Sequence, residues 1–224
     1  MQKNQQVMYP EEREYSWQDG KTLTIGKKTL IMGILNVTPD SFSDGGKWNS
    51  VDRAVQHMLE MVVNGADIID IGAESSRPGF VTMSAKEGIE RLKPFLEAVL
   101  PACPVPVSID TFKAETAAYA AEQGVHMLND IWGLQYAEEP GEMAKVAAEY
   151  DLPVVVMHNR DSKVYKGDII DSMRAFFQRS IDIACEAGVK QENIILDPGI
   201  GFGKDVEGNL EVMNRLQELK KFAG

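Results

Sequence analysis

Side chains that can bind ligands follow the apolar runs of this sequence, each near the point where a run ends. They are Asn36, Asp70, Glu74, Asp110, Asn129, Asp130, His158, Asn159 and Asp197. A buried carboxylate can accept two parallel N–H bonds, and an amide beside it can both donate and accept. If these side chains converge, they would place carboxylates, amides and a histidine around one site.

The apolar runs themselves are short, continuous and rich in Ile, Val and Leu, which is typical of strands buried on both faces of a parallel sheet. They span 30–38, 67–75, 105–111, 126–131, 153–159 and 193–199. An earlier stretch, 14–29, contains two turn signals and predicts a β-hairpin before the first of these strands.

Helical patterns lie between the runs. Ser84 and Glu87 have the spacing of a capping box. The other predicted helices begin at Ser50 and Thr111 and end at Gly65 and Gly124, or span 169–187 and 207–222. Strand and helix therefore alternate, which indicates an α/β fold.

Two α/β architectures compete, an open doubly wound sheet and a (β/α)8 TIM barrel. An open sheet needs ligand-binding residues only where the strand order reverses, whereas all the loops of a barrel meet at one mouth. Here almost every strand end carries such residues, and neither GxGxxG after the first strand nor GxxxxGK[ST] occurs. The pattern favours the barrel, although only about six βα units are present. We assign 1–28 to an N-terminal extension and hairpin, and 29–224 to the barrel domain, truncated after its sixth helix.

Composition limits the classes of partner. The net charge of −11 argues against a general nucleic-acid binder. No run of 18 apolar residues predicts a membrane span, and the N-terminus lacks the apolar segment of a secretory signal. Cys103 and Cys185 are far apart and read as reduced thiols. A cytoplasmic location is expected.

Six segments carry most of the distinctive residues; in chain order they are NVTPDSFSDGG, DIIDIGAESSRPG, SIDTFKAE, LNDIWG, VVVMHNR and ILDPGIGFGK. Together they resemble one enzyme family, the dihydropteroate synthases, which are pterin-binding barrels of folate biosynthesis and sulfonamide targets. The resemblance runs from about residue 28 to the C-terminus. It implies a transferase that condenses 6-hydroxymethyl-7,8-dihydropterin diphosphate with p-aminobenzoate, with Mg²⁺ as cofactor.

The resemblance also implies a pterin site. Asp110, Asn129 and Asp197 would bind the polar edge of the pterin. The apolar walls against the ring would be Ile131, Met157 and Phe202. Each polar residue also has a purely structural explanation, because Asp and Asn at strand ends often hold a turn or cap the next helix.

The diphosphate side is assigned in the same way. Asn36 would be the single protein ligand of Mg²⁺, which otherwise takes oxygens from phosphate and water. The polar loop 36–46 would close over the diphosphate and exclude water, with Asp44 organising it and Phe42 flanking p-aminobenzoate. Phe42 could instead anchor the loop on the barrel rim.

A second loop, GAESSRPGF at 72–80, would close beside the first. Arg77 would bind diphosphate or the p-aminobenzoate carboxylate. The expected catalytic residues are Asn36, Asp44 and Arg77. Ser76 and Pro78 would lie with Arg77 on the p-aminobenzoate side. Ser76 replaces the more usual Thr and removes a methyl group from that pocket.

Five remaining residues receive simpler interpretations. His57 and His126 are predicted to be structural, and His158 to line the pocket. Lys204 and Asp205 are predicted to be surface charges.

The family pattern continues beyond the motifs of this chain. A seventh strand ending in Ser-Arg-Lys-Ser and an eighth ending in Arg-x-His would supply further cations, so we expect the sequence to be part of a longer polypeptide. The resemblance also implies a homodimer. Two alternatives stay open: a pterin-binding methyltransferase-type barrel, and an incomplete fragment that only binds pterin.

Overall fold

The computed structural model describes residues 12–38, 46–74 and 83–220, with the backbone alone for 46–49. The strands are β1 Arg13–Ser16, β2 Thr22–Ile25, β3 Met32–Asn36, β4 Ile68–Gly72, β5 Val107–Asp110, β6 Met127–Asp130, β7 Val154–Met157 and β8 Ile194–Asp197. The helices are α1 Gly46–Val63, α2 Ala85–Ala102, α3 Ala114–Gln123, α4 Glu142–Glu149, α5 Ile169–Ala187, α6 Val206–Arg215 and α7 Gln217–Lys220.

Strands β3 to β8 form one parallel sheet in chain order. Each of the six contains residues from one predicted run, which confirms the α/β fold. One row of the sheet register runs through Asn36, Gly72, Asp110 and Asn129. The register thus brings the carboxyl ends of four strands together on one face. In the described part of the chain β3 and β8 remain the two end strands, so the barrel is not closed.

The core lies between this sheet and the helices that follow its strands. All five residues of β4 are buried, as expected for a strand covered on both faces. Leu35, Leu96, Ile109 and Phe177 are among its fully buried side chains. The continuous apolar runs are explained by this burial. No helix in the described ranges is long and apolar enough to cross a membrane.

The predicted hairpin is confirmed and covers the amino ends of the strands. Tyr15 and Leu23 pack there with Ile68, Met127 and Val155. His126 is buried nearby, where its Nδ1 accepts from the backbone N–H of residue 107 and its Nε2 lies 3.0 Å from an Asp19 carboxylate oxygen. His126 is therefore structural, as predicted, and His57 is exposed on α1.

Several predicted helix boundaries are wrong. Helix α1 begins at Gly46 rather than Ser50, and α3 begins at Ala114 rather than Thr111. The Thr111 hydroxyl accepts from the N–H of Lys113, so it turns the chain before the helix starts. In place of one helix over 207–222 there are two, α6 from Val206 and α7 from Gln217, and α4 lies where no helix is predicted.

The capping box at the start of α2 is confirmed and gives a stability test. Ser84 Oγ accepts from Glu87 N, and the Glu87 carboxylate accepts from Ser84 N. Ser84→Ala removes the acceptor of an otherwise unpaired helix N–H, so we expect the free energy of unfolding to fall by about 1 kcal/mol. Urea unfolding measures it, with Ser84→Asp as the control that retains capping. Equal loss in both variants would contradict the assignment.

Candidate active site

The ends of β3, β4 and β5 meet around Gly72. A Cβ built on Gly72 would lie 3.2 Å from Asp110 Oδ2 and 3.4 Å from Asn36 Oδ1. Because Gly72 has no side chain, the Asp110 carboxylate and the Asn36 amide have room beside it. Asn36 is exposed and Asp110 is partly buried, so this group opens toward solvent at the mouth of the sheet.

Asn129 lies in the same register row and is oriented by a residue that the site prediction omitted. Its Nδ2 donates to Asp70 Oδ2 at 2.9 Å, and Asp70 is almost fully buried. Ser108 lies directly opposite Asp70 on β5, and its hydroxyl partly offsets the effect of burial on the pKa of that carboxyl. The sequence signal was available, because Asp70 lies two residues before Gly72 on the same face.

Burial raises the pKa of three acidic groups in this region, and neighbouring carboxylates add to the effect at Asp110. The pKa of Asp110 is well above its usual range because the carboxyl is buried and because Asp70, Asp130 and Glu74 lie near it. Burial likewise raises the pKa of Asp70, and it raises that of Asp130 to about 6. A ligand that donates N–H bonds to Asp110 would favour its ionised form.

An apolar wall stands beside these polar groups. Phe112, Ile131 and Met157 form a buried cluster, against which Phe202 packs. The structure thus brings together the three predicted wall residues Ile131, Met157 and Phe202. The prediction missed the three other aromatic residues of the cluster, which are Phe112, Trp132 and Tyr136.

Asp197 ends β8 opposite Met157 in the register. Its Oδ1 accepts from the N–H of Gly199 at 2.8 Å, which is the turn-forming role expected of Asp at such a position. The residue is only partly buried. Asp197 therefore has a structural contact, and its pterin role stays a prediction.

Two sequence interpretations are wrong. Lys204 is buried rather than on the surface, and its ammonium contacts His158 Nδ1. His158 does not line the pocket, because its ring is buried and packs edge-on against Phe176 of α5. The apolar contacts of His158 and the backbone acceptors around Lys204 explain both placements. Asp205 is exposed, as predicted.

Five predicted site residues lie outside the described residues. They are Phe42, Asp44, Ser76, Arg77 and Pro78. Their assignments rest on the sequence alone.

Glu74 links the two described ends that flank residues 75–82. Its Oε2 accepts from Lys113 Nζ at 2.6 Å, and its Oε1 accepts from the N–H of Met83 at 3.1 Å. Arg91 donates to the carbonyl of Ala73 at 2.8 Å. The Glu74–Lys113 pair is largely shielded from solvent, with side-chain exposures of 14% and 8%.

This burial predicts a large cost for breaking the pair. Lys113→Met leaves the Glu74 charge buried without its cation, so we expect the free energy of unfolding to fall by about 3 kcal/mol. Denaturant unfolding measures the loss, and the Glu74→Gln/Lys113→Met double variant should recover part of it. A loss below about 1 kcal/mol would show that the pair behaves like an exposed one.

The oxygen donors at this edge of the sheet include one amide that suits Mg²⁺. Asn36 Oδ1 and an Asp110 oxygen flank the same space beside Gly72. Within the described ranges no group of three or more His, Cys, Asp or Glu side chains could hold a metal ion. An ion at Asn36 would need its other oxygens from a ligand and water, which is how Mg²⁺ is commonly bound beside phosphates. Asn36 fits that role.

Comparison with known proteins identifies the family. The sequence profile of the family described as "pterin binding enzyme" matches residues 32–224. A dihydropteroate synthase of Clostridium beijerinckii is 53% identical over 201 residues, which cover 90% of this chain and 73% of that protein. The chain belongs to the dihydropteroate synthases, within the pterin-binding enzyme family.

Solved structures of dihydropteroate synthases agree with this placement. The Clostridium difficile enzyme in the presence of pteroic acid superposes with a TM-score of 0.83 at 51% identity, covering 88% of this chain and 73% of that one. The Yersinia pestis enzyme in a sulfonamide drug complex gives 0.79 at 41% identity, covering 89% and 74%. The TIM-barrel prediction is confirmed at the level of fold, and the methyltransferase alternative is not favoured.

Proposed function

We propose that this dihydropteroate synthase chain binds 6-hydroxymethyl-7,8-dihydropterin diphosphate and transfers its pterin methylene to p-aminobenzoate. The products are 7,8-dihydropteroate and diphosphate. The observation that carries the proposal is the register row at the sheet mouth, which sets Asp110 and Asn129 beside an apolar wall. Membership in the family supports the same chemistry.

The pterin half of the site follows from these neighbours. Asp110 would accept the paired N–H groups of the pterin edge, and Asn129, fixed by Asp70, would supply a donor or an acceptor beside it. The pterin ring would lie against the cluster of Phe112, Ile131 and Met157, with Phe202 at its side. Asp197 is proposed as a third polar contact.

Asn36 is proposed to hold Mg²⁺ next to the diphosphate. The bound ion would neutralise charge that develops on the departing phosphate oxygens. Asn36 is exposed at the mouth and shares space with Asp110, so a diphosphate there would lie next to the pterin edge site.

The p-aminobenzoate side is assigned to Phe42, Ser76, Arg77 and Pro78, with Asp44 in the first loop. Arg77 would pair with a carboxylate or phosphate group, as its planar guanidinium suits both. The Yersinia pestis structure is of a sulfonamide drug complex, which supports sulfonamides as inhibitors of this chain too.

A turnover assay tests the proposed reaction. The chain is incubated with pterin diphosphate and Mg²⁺, and diphosphate release is followed with and without p-aminobenzoate. We expect release that depends on p-aminobenzoate and yields dihydropteroate in equal amount. Pterin binding without p-aminobenzoate-dependent release would contradict the transferase assignment for this chain and favour the fragment that only binds pterin.

A further inference from the structure

Lys204 is a buried cation for which the proposed reaction has no role. Only 3% of the residue is exposed. Its Nζ lies 3.0 Å from His158 Nδ1 and donates to the carbonyls of Gly199 and Phe202, both at 2.9 Å. A lysine ammonium has three N–H donors, and all three are directed at protein acceptors here. Lys204 therefore has no donor left for a substrate.

The charges around Lys204 do not form an ordinary ion pair. Within the described ranges no carboxylate lies within ion-pair distance of its ammonium, although Asp197 is near enough to oppose loss of the proton. Burial lowers the pKa of Lys204 to about 8. Burial lowers the pKa of His158 to about 3, and the nearby positive charges of Lys204 and Arg160 add to this effect. His158 is thus neutral and able to accept through Nδ1.

The two carbonyls belong to a single tight turn. Phe202 N donates to Gly199 O at 3.0 Å, so Lys204 binds the acceptor of that turn and the carbonyl of its last residue. Tyr165 donates to the next carbonyl, that of Gly203, at 3.0 Å. The turn connects Asp197 at the end of β8 to Phe202 at the apolar wall.

His158 ties this turn to the outer layer of helices. Its ring centroid lies 4.9 Å from that of Phe176 and 6.1 Å from that of Phe177, both on α5. Because its Nδ1 contacts Lys204, the turn is held in place by a side chain that is packed in the core.

We propose that Lys204 is a positioning residue for pterin binding, which fixes the 199–204 turn so that Phe202 and Asp197 face the pterin ring from one side. This inference rests on the proposed function. It assigns Lys204 no contact with substrate and no part in the chemical step. Its effect is expected in the dissociation constant for pterin diphosphate.

Lys204→Met tests the proposal, with Lys190→Met as the matched control. Lys190 is an exposed lysine paired with Asp151, before the amino end of β8. Calorimetric titration with 6-hydroxymethyl-7,8-dihydropterin diphosphate and Mg²⁺ gives the dissociation constant and the number of sites separately. We expect Lys204→Met to raise the dissociation constant about tenfold, equivalent to about 1.4 kcal/mol, and Lys190→Met to leave it unchanged.

The two parameters separate positioning from a merely structural role. A structural role would lower the number of competent sites and leave their affinity intact, and that result would overturn the proposal. His158→Phe keeps the lysine and an aromatic ring but removes one acceptor. It should raise the dissociation constant by about threefold, and it provides the test if Lys204→Met does not fold.

Hydrogen exchange of the ligand-free protein makes the two possible failures distinguishable. The Phe202 amide should exchange faster in Lys204→Met than in the unmodified chain, because the turn has lost the hydrogen bonds from the Lys204 ammonium. Failure of the unmodified chain to bind pterin diphosphate would overturn the proposed function and this inference with it. Binding that Lys204→Met and His158→Phe leave unchanged would overturn the role of Lys204 alone.

Discussion

Asp110→Asn is expected to weaken the binding of pterin diphosphate by about 100-fold or more while the protein stays folded. The carboxylate would accept two N–H bonds from the pterin edge, and a charged acceptor contributes about 1.5–3 kcal/mol per bond. The amide replaces one acceptor oxygen by a donor that opposes the ligand's own N–H. Calorimetric titration of both proteins at one pH measures the effect.

The same change is expected to make the ligand-free protein more stable near neutral pH. The pKa of Asp110 in the folded protein is raised above its ordinary value of 3.8. The folded state therefore binds more protons than the unfolded state between the two values, so stability falls as pH rises through that window. Asn cannot ionise, so Asp110→Asn removes this loss, and urea unfolding at several pH values detects it.

Asp182→Asn is the matched control, because Asp182 is an exposed residue of α5 whose carboxylate accepts a hydrogen bond from Gln178 of the same helix. It should leave pterin affinity unchanged. If Asp110→Asn bound pterin diphosphate as tightly as the unmodified chain does, the carboxylate would not be the pterin contact.

Gly199→Ala is expected to cost about 3 kcal/mol of unfolding free energy and to abolish most pterin binding. Gly199 has a φ of +62°, and a Cβ there would lie 2.2 Å from the His158 carbonyl oxygen. That oxygen belongs to the backbone after β7, so relief requires the 199–204 turn to move away from the strand. Phe202 and the carbonyls that Lys204 binds would move with it.

Gly124→Ala separates the two causes of this loss. Gly124 also has a positive φ, +95°, but a Cβ there meets nothing within 4 Å. It should cost only the conformational penalty, about 1–2 kcal/mol, and leave pterin affinity unchanged. Equal costs for both variants in denaturant unfolding would show that the close approach of the turn to β7 has no energetic consequence.

The fold was largely predictable because a strand buried on both faces has a continuous apolar sequence. Strand β4, with all five residues buried, coincides with a continuous apolar run, and α5 coincides with the predicted span 169–187. Helix starts were less predictable. Thr111 has the residue type of a cap, but its hydroxyl bonds the backbone two residues later, and only the local geometry decides between these roles.

The site was partly predictable for a related reason. Residues at strand ends share one edge of the sheet, so Asn36, Asp110 and Asn129 could be grouped from their positions. Asp70 could be grouped with them by its position, but its contact with Asn129 and the burial of Lys204 could not be predicted, because these contacts join residues distant in sequence. Asp70 is 59 residues from Asn129, and Lys204 is 46 from His158. Charged residues are mostly exposed, so the burial of Lys204 runs against the ordinary expectation.

Equilibrium titration of the 224-residue chain with 6-hydroxymethyl-7,8-dihydropterin diphosphate and Mg²⁺ tests the central claim, that the sheet mouth is a pterin site. We predict saturable binding at one site per chain, which 6-hydroxymethyl-7,8-dihydropterin without the diphosphate competes and which Asp110→Asn weakens about 100-fold or more. Binding that the free pterin cannot compete, or that survives Asp110→Asn unchanged, would contradict a pterin site built on this row of strand ends.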